Sequence, residues 1–225
     1  MNRRTFLGLG GATALGTVAG CLGGNDGYET TTTNGIEVPL APIDDVYEWY
    51  ENDEANFADA RGRNQYEQGH IAGAVFSPAP DGTENDPAEE WSTDTQIVTY
   101  CGCPHHLSSM RAASLIDDGY EEVYALDEGF QAWIDNGYPL EGSAVSQERT
   151  TYKIEGQSDA SYAGEMVMLE QVDADRNEAA PIAEDGSYTL QLHYAGSTAS
   201  PFRVEAPDYT VEGTLAELTS TVITP

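Results

Sequence analysis

The chain has 225 residues and a formal net charge of −30, with nine Lys plus Arg against 39 Asp plus Glu. The length admits one large domain or two modest ones, each able to bury a core. So negative a charge repels nucleic acid and anionic membrane surfaces, and argues against both as partners. The acids are spread among Val, Ile, Leu and 13 Tyr, which points to folded domains with hydrated surfaces rather than disorder. Such a surface suits a high-salt, halophilic habitat, because the Debye length falls to about 3 Å at 1 M salt and repulsion is screened. The fold is then expected to loosen at low salt. Three cysteines are too few for a disulfide scaffold.

Residues 1–20 read as an export signal. Arg3 and Arg4 precede a Gly-rich apolar run too short for a comfortable transmembrane helix. The order Arg3-Arg4-Thr5-Phe6-Leu7 resembles a twin-arginine (Tat) signal, which carries folded cargo. Val18-Ala19-Gly20-Cys21 looks like a lipobox, with Cys21 as the lipidated residue. The mature chain would then be a lipoprotein on the outer face of the cell membrane, touching the membrane only through its lipid anchor. Firm attachment calls for two lipid chains. Residues 21–35 form the lipid-anchored linker, and Leu22–Gly35, rich in Gly and Thr, has no periodicity and reads as a flexible stalk.

From residue 36 to about 145 the pattern alternates between strand and helix. Ile36–Leu40 is extended, and Ile43–Tyr50 has helical apolar spacing behind acidic residues. A strand over Asn56–Asp59 leads into Asp59-Ala60-Arg61, a short helix covers Asn64–Gln68, and Ala74–Phe76 is again a strand. The acidic, proline-containing stretch 78–95 reads as an exposed loop. Gln96–Tyr100 is the strongest strand signal and ends at Cys101. A helix is expected over Ser108–Asp117, with Ser108 and Ser109 as caps, followed by a strand over Glu122–Leu126 and a helix over Phe130–Asn136. This alternation predicts a mainly parallel sheet with helices on both faces, and a site at the carboxyl end of a strand. Cys101 falls at such an end. A loop feeding a helix N-terminus turns backbone N–H groups and the positive helix dipole inward, which lowers a thiol's pKa and holds an anion beside it.

Residues 146–225 change character. Thr150–Glu155, Glu165–Glu170, Ser187–Tyr194, Phe202–Glu205, Tyr209–Glu212 and Leu218–Ile223 alternate as strands do, with Gly, Asp, Asn and Pro between them. No helix of any length is expected. A small all-β sandwich of six or seven strands is the natural solution. With no cysteine and one histidine it has little nucleophilic equipment, so it reads as a binding, spacing, oligomerising or purely structural module.

Asp59-Ala60-Arg61, followed by Gly69-His70-Ile71-Ala72-Gly73-Ala74, then Val98-Thr99-Tyr100-Cys101, then Leu126–Trp133 with Gly137-Tyr138-Pro139-Leu140, resembles the successive signatures of the rhodanese family of sulfurtransferases. The resemblance spans residues 37–142. It implies a cysteine that takes sulfane sulfur from a donor such as thiosulfate or polysulfide, becomes a persulfide, and passes the sulfur to a thiol or cyanide. It implies no metal or organic cofactor. It makes Cys101 and Cys103 the candidate catalytic residues and Gly102, Pro104, His105, His106, Leu107 and Ser108 the substrate-binding loop. Arg61 and Asp59, read as an ion pair, shape the rim of the pocket.

Two departures stand out. Counting back from Ala112-Ala113 at the family's spacing lands on Cys103, whereas the end of the strand points to Cys101. Cys101 is preferred, with Cys103 as a thiol that accepts the sulfur or closes a disulfide. The loop also carries no Arg or Lys, so His105 and His106 offer only conditional charge. A phosphatase of the same fold would need an arginine where Leu107 or Ser109 stands. Other readings are a non-catalytic sulfur-binding lipoprotein, a zinc or copper site built from Cys101, Cys103, His105 and His106, and a dithiol redox protein using both cysteines.

Overall fold

A computed structural model describes residues 27–225. The expected export signal and Cys21 lie outside the described residues. The first half contains β1 (Thr30–Thr33), β2 (Ile36–Ala41), α1 (Ile43–Glu51), β3 (Asn56–Asp59), α2 (Arg63–Gln68), β4 (His70–Ile71) and β5 (Val75–Phe76). It continues with β6 (Gln96–Tyr100), α3 (His106–Asp117), β7 (Glu122–Leu126), α4 (Gly129–Asp135) and β8 (Leu140–Glu141). Six strands form one sheet in the order β1-β2-β7-β6-β3-β5, with every pair parallel except β1 and β2. The central strands are short apolar runs buried along their length, as a parallel sheet covered on both faces requires. One face packs Val46, Phe57, Phe130 and Trp133, and the other packs Ala112, Leu115, Tyr120 and Val123.

Two local expectations are corrected. The expected stalk already contains β1, paired to β2 through Asn34-Gly35, both in the left-handed region at φ 53° and 81°. Asn-Gly is the preferred two-residue hairpin connection, and it draws the threonines into the sheet. The stretch 78–95 is not simply exposed. Asp86 and Ala88 are buried, and the Tyr120 hydroxyl donates to the Ala88 carbonyl at 3.1 Å. Asp86 faces the buried Arg111 at 3.7 Å, which pins the loop over α3.

The second half is all but helix-free: β9 (Thr150–Gln157), β10 (Met166–Gln171), β11 (Asn177–Pro181), β12 (Ser187–Tyr194), β13 (Pro201–Ala206), β14 (Tyr209–Thr214) and α5 (Leu215–Leu218). An antiparallel sheet β11-β10-β13-β14 faces the pair β12-β9, and alternate side chains of both meet in one core that includes Ile154, Leu169, Leu190, Leu192, Phe202 and Val204. The strand expected over Leu218–Ile223 is absent. Thr214 and Glu217 form a reciprocal capping box that starts α5, leaving only a bridge between Gly156 and Ile223. Strand β11 was not foreseen. It packs on the first half, with Asn64 N–H donating to the Asp175 carbonyl at 2.9 Å and Asn177 N–H to the Gln65 side chain at 2.8 Å. The two halves therefore meet at the carboxyl ends of β3 and β6.

Candidate active site

Tyr100 ends β6, and the chain turns through Cys101-Gly102-Cys103-Pro104 to His105, which sits in the left-handed region at φ 31°. That reversal lets α3 begin at His106, two residues before the expected start. Ser108 and Ser109 consequently lie inside the helix rather than capping it, and the N-terminus has no side-chain cap. Ser109 Oγ donates back to the His105 carbonyl, while Ser108 Oγ turns inward to lie 3.4 Å from Cys101 Sγ. Thr99 Oγ1 at 2.9 Å from the Ser108 carbonyl fastens the first turn of α3 to the strand.

The loop is held from below by α4. Phe130 N–H donates to the Cys101 carbonyl at 2.8 Å. Gly129, at φ 77°, approaches so closely that a Cβ there would stand 2.5 Å from the Cys103 carbonyl oxygen. Asp59 at the end of β3 and Arg61 just beyond it form the expected ion pair, at 2.5 Å between Arg61 Nη2 and Asp59 Oδ2, with both side chains buried. Arg61 Nη2 also donates to the Gly69 carbonyl at 2.7 Å, and the guanidinium lies 4.1 Å from the Phe130 ring centre. Burial alone would pull the Arg61 pKa down, but Asp59 holds it above its ordinary value.

The two thiols differ in surroundings. Cys101 Sγ lies over the N-terminus of α3, where the Ser108 hydroxyl and the backbone N–H groups of Ser108 and His106 favour its anion. Its thiol donates to the Cys103 carbonyl at 3.1 Å. Cys103 Sγ instead faces the second half of the chain, donating to the Gln191 carbonyl at 2.9 Å and lying 3.8 Å from Glu178 Oε2. Both sulfurs are covered, each cysteine being 1% exposed. The cover is β11. Ala179 packs with Cys101, Leu107 and Ala60, and His106 Nδ1 lies 2.6 Å from the Ala179 carbonyl. Glu178 Oε1 would be 2.6 Å from a Cβ on Gly102, so only glycine admits the carboxylate there. Burial and then the Glu178 charge push both thiol pKa values up, so in this closed arrangement both are protonated at neutral pH.

Although Gly, Pro and His suggest an open loop, it is covered, and only Pro104 of Cys101–Ser108 is exposed. His105 turns to Asp127 at 2.9 Å, away from the sulfurs. Cys101, Cys103, His105 and His106 diverge rather than converge, so they do not make a zinc or copper site, and no metal-holding group of three His, Cys, Asp or Glu occurs among the described residues.

Sequence reasoning missed the contribution of the second half. Gln65 Nε2 donates to Glu178 Oε1 at 2.9 Å. Arg176 Nη2 donates to Asn64 Oδ1 at 3.2 Å and Gln68 Oε1 at 2.8 Å. Burial lowers the Arg176 pKa to about 10 and raises that of Glu178 to about 7. Arg176-Asn177-Glu178 reads in isolation as a solvated polar stretch, and the only hint was the small pair Ala179-Ala180 behind it.

The raised Glu178 pKa fixes a pH dependence. The folded chain holds this proton more tightly than the unfolded chain, so stability falls as pH rises from the ordinary 4.5 to about 7 and levels off above. The shift corresponds to about 3 kcal/mol at most. Glu178→Gln should match the wild type at about pH 4 and exceed it by roughly 1–3 kcal/mol at about pH 8. Denaturant unfolding across that range, at constant high salt, would refute this if the two proteins showed the same slope.

The sequence profile of the Rhodanese-like domain family matches residues 43–136. The Thiosulfate sulfurtransferase GlpE of Pseudoalteromonas translucida is 34% identical over 92 residues, which cover 40% of this chain and 84% of that protein. The Thiosulfate sulfurtransferase GlpE of Coxiella burnetii is 34% identical over 77 residues, covering 34% of this chain and 68% of that protein. Among solved structures, the Rhodanese-like domain of the Alr3790 protein from Anabaena sp. is 25% identical with a TM-score of 0.44, covering 54% of this chain and 88% of that one. With most of two curated relatives spanned at this identity, the chain belongs to the rhodanese-like sulfurtransferase family.

Proposed function

We propose that the protein is a thiosulfate-type sulfurtransferase whose nucleophile is Cys101. The observation that carries this reading is the placement of Cys101 Sγ over the N-terminus of α3, with two backbone N–H groups and the Ser108 hydroxyl directed to it. Those donors favour an anionic sulfur and accommodate a terminal persulfide. Cys103 lacks that setting, since its sulfur faces a backbone carbonyl and a carboxylate.

In the proposed cycle the Cys101 thiolate attacks the outer sulfur of thiosulfate. A new S–S bond forms, the old one breaks, and sulfite leaves with its electron pair. An acceptor thiolate or cyanide then attacks the outer sulfur of the persulfide, and Cys101 departs as a thiolate. No net oxidant or reductant is consumed. Gly102, His106, Leu107 and Ser108 surround the reacting sulfur, and the Asp59–Arg61 pair shapes the rim of the crevice beside Gly102. Pro104 and His105 shape the turn. Substrate reaches Cys101 when Glu178 and Ala179 move off the cysteine loop, which also removes the Glu178 charge that disfavours the thiolate.

Sulfur transfer from thiosulfate to a thiol, assayed at high salt, tests the assignment. Cys101→Ser is expected to abolish turnover by a factor on the order of 10³ or more, while Cys103→Ser stays within about tenfold of the wild type. Loss in Cys103→Ser alone would move the nucleophile, and full activity in both variants would end the proposal.

We further propose that the protein acts outside the cell as a lipoprotein held by Cys21. The twin arginine, the apolar run and the small residues before Cys21 support this. Cys21→Ser should release the protein from the membrane fraction, and its retention there would contradict the anchor.

A further inference from the structure

The cysteine loop carries no Lys or Arg, yet the crevice beside it gathers three of the arginines among the described residues. Of nine Lys and Arg, Arg3 and Arg4 precede the described residues, and three of the remaining seven, Arg61, Arg149 and Arg176, line one crevice with Gly102, Gln65 and Glu178. In a chain of net charge −30 this convergence sets three guanidinium groups in one crevice, with Asp59 paired to Arg61 and Glu178 without an ion-pair contact among the described residues. Arg61 and Arg149 approach each other at Gly69. The first donates to the Gly69 carbonyl at 2.7 Å, and Arg149 Nη2 lies 3.2 Å from where a Gly69 Cβ would be. Only Arg61 has its own ion-pair partner; neither Arg149 nor Arg176 pairs with a described carboxylate.

Two further observations point to a ligand. Arg176 is 5% exposed, and its Nε has no hydrogen-bond partner, an expense that a buried guanidinium rarely carries. Glu178 is equally buried, at 2% exposed, and its carboxylate is held by Gln65 and the Cys103 thiol but has no ion-pair contact within 4 Å. A desolvated carboxylate so weakly tied is a displaceable anion. It already sits against Gly102, at the edge of the loop that bears both cysteines. About 10 Å³ of free space remains in the crevice, the threshold for a single water, so a larger anion enters only as the carboxylate leaves.

We propose that this crevice is the seat for the oxyanion end of the sulfur donor, made by Arg61 from the first half and by Arg149 and Arg176 from the second, with the Glu178 carboxylate as its internal stand-in. The inference rests on the sulfurtransferase reading and deepens it, by naming an anionic donor such as thiosulfate. The second half of the chain supplies the cations that the cysteine loop lacks. Displacing the Glu178 side chain would free the space beside Gly102, while the contacts of Arg176 and Asn177 with Asn64, Gln65 and Gln68 keep the seat in place.

Binding can be read without turnover. In the full chain carrying Cys101→Ser, calorimetric titration with thiosulfate and with sulfite, at one fixed salt concentration, is expected to show saturable binding. Adding Arg176→Gln or Arg149→Gln should weaken it at least tenfold, and adding Glu178→Gln should tighten it several-fold. Arg149 is half-buried, so its variant serves if Arg176→Gln does not fold. Absence of binding, or binding that neither arginine variant alters, would overturn the seat. With Cys101 intact, Arg149→Gln should lower kcat/KM for thiosulfate, through KM, at least tenfold more than for an uncharged dialkyl trisulfide. An equal fall for both donors would mean that Arg149 only supports the fold. Were the wild type to turn over neither donor, the sulfurtransferase reading would fail, while the calorimetry would still decide whether the anion seat exists.

Discussion

The contact that organises this molecule is the seating of Glu178 against the Cα of Gly102. At that point the edge strand of a β-sandwich reaches into the carboxyl end of a parallel sheet, where a loop-to-helix junction gathers backbone N–H groups around Cys101. Gly102 has no side chain to keep the carboxylate out, Gln65 receives it, and Ala179 closes over Cys101 with Leu107. Strand β11 thus covers Cys101 through Ala179 and brings Glu178, itself buried, to Gly102 and Cys103. Burial of polar and charged groups without full pairing is costly. The closed arrangement leaves Arg176 Nε without a hydrogen-bond partner and Glu178 without an ion-pair contact among the described residues.

This contact also reconciles two facts that otherwise conflict. The donors at the start of α3 suit a sulfur anion, yet both thiol pKa values lie above the ordinary range because the site is dry and Glu178 is near. The conflict concerns the cover, not the donors beneath it. Were Glu178 and Ala179 to move aside, water and substrate would reach Cys101, the carboxylate would leave, and the helix terminus would remain. Electrostatics acts in the same direction on the larger scale. A surface of net charge −30 opposes the approach of any small anion, and high salt relaxes that opposition over distances beyond a few ångströms.

Much of the first half was legible in its residues because local and global signals agree there. Gln96–Tyr100 is β-branched and apolar, it ends at Cys101, and the helix that follows buries Leu107, Ala112 and Leu115, so the sheet and the place of the cysteine loop could be read together. The Asp59–Arg61 pair was legible from its spacing after a strand. What escaped was decided by turns and by contacts between distant segments. Asn34-Gly35 was read as part of a stalk although it is a hairpin connection, and Thr214-x-x-Glu217 was passed over as a capping box. Strand β11, Asn-Glu-Ala-Ala-Pro, has no β-branched or aromatic residue to mark it, and only its neighbours in space give Glu178 and Arg176 their meaning. Sequence spacing also left Cys101 and Cys103 in competition. The structure separates them by their partners, Cys101 Sγ beside the Ser108 hydroxyl in the first turn of α3 and Cys103 Sγ against the Gln191 carbonyl.

The most direct test is to find where the sulfur goes. The wild-type chain would be incubated with a stoichiometric amount of thiosulfate at high salt, alkylated to trap persulfides, digested and analysed by mass spectrometry. One additional sulfur atom on Cys101, with sulfite released in equal amount, is the predicted result. Additional sulfur confined to Cys103, or a Cys101–Cys103 disulfide with no sulfur gained, would contradict it.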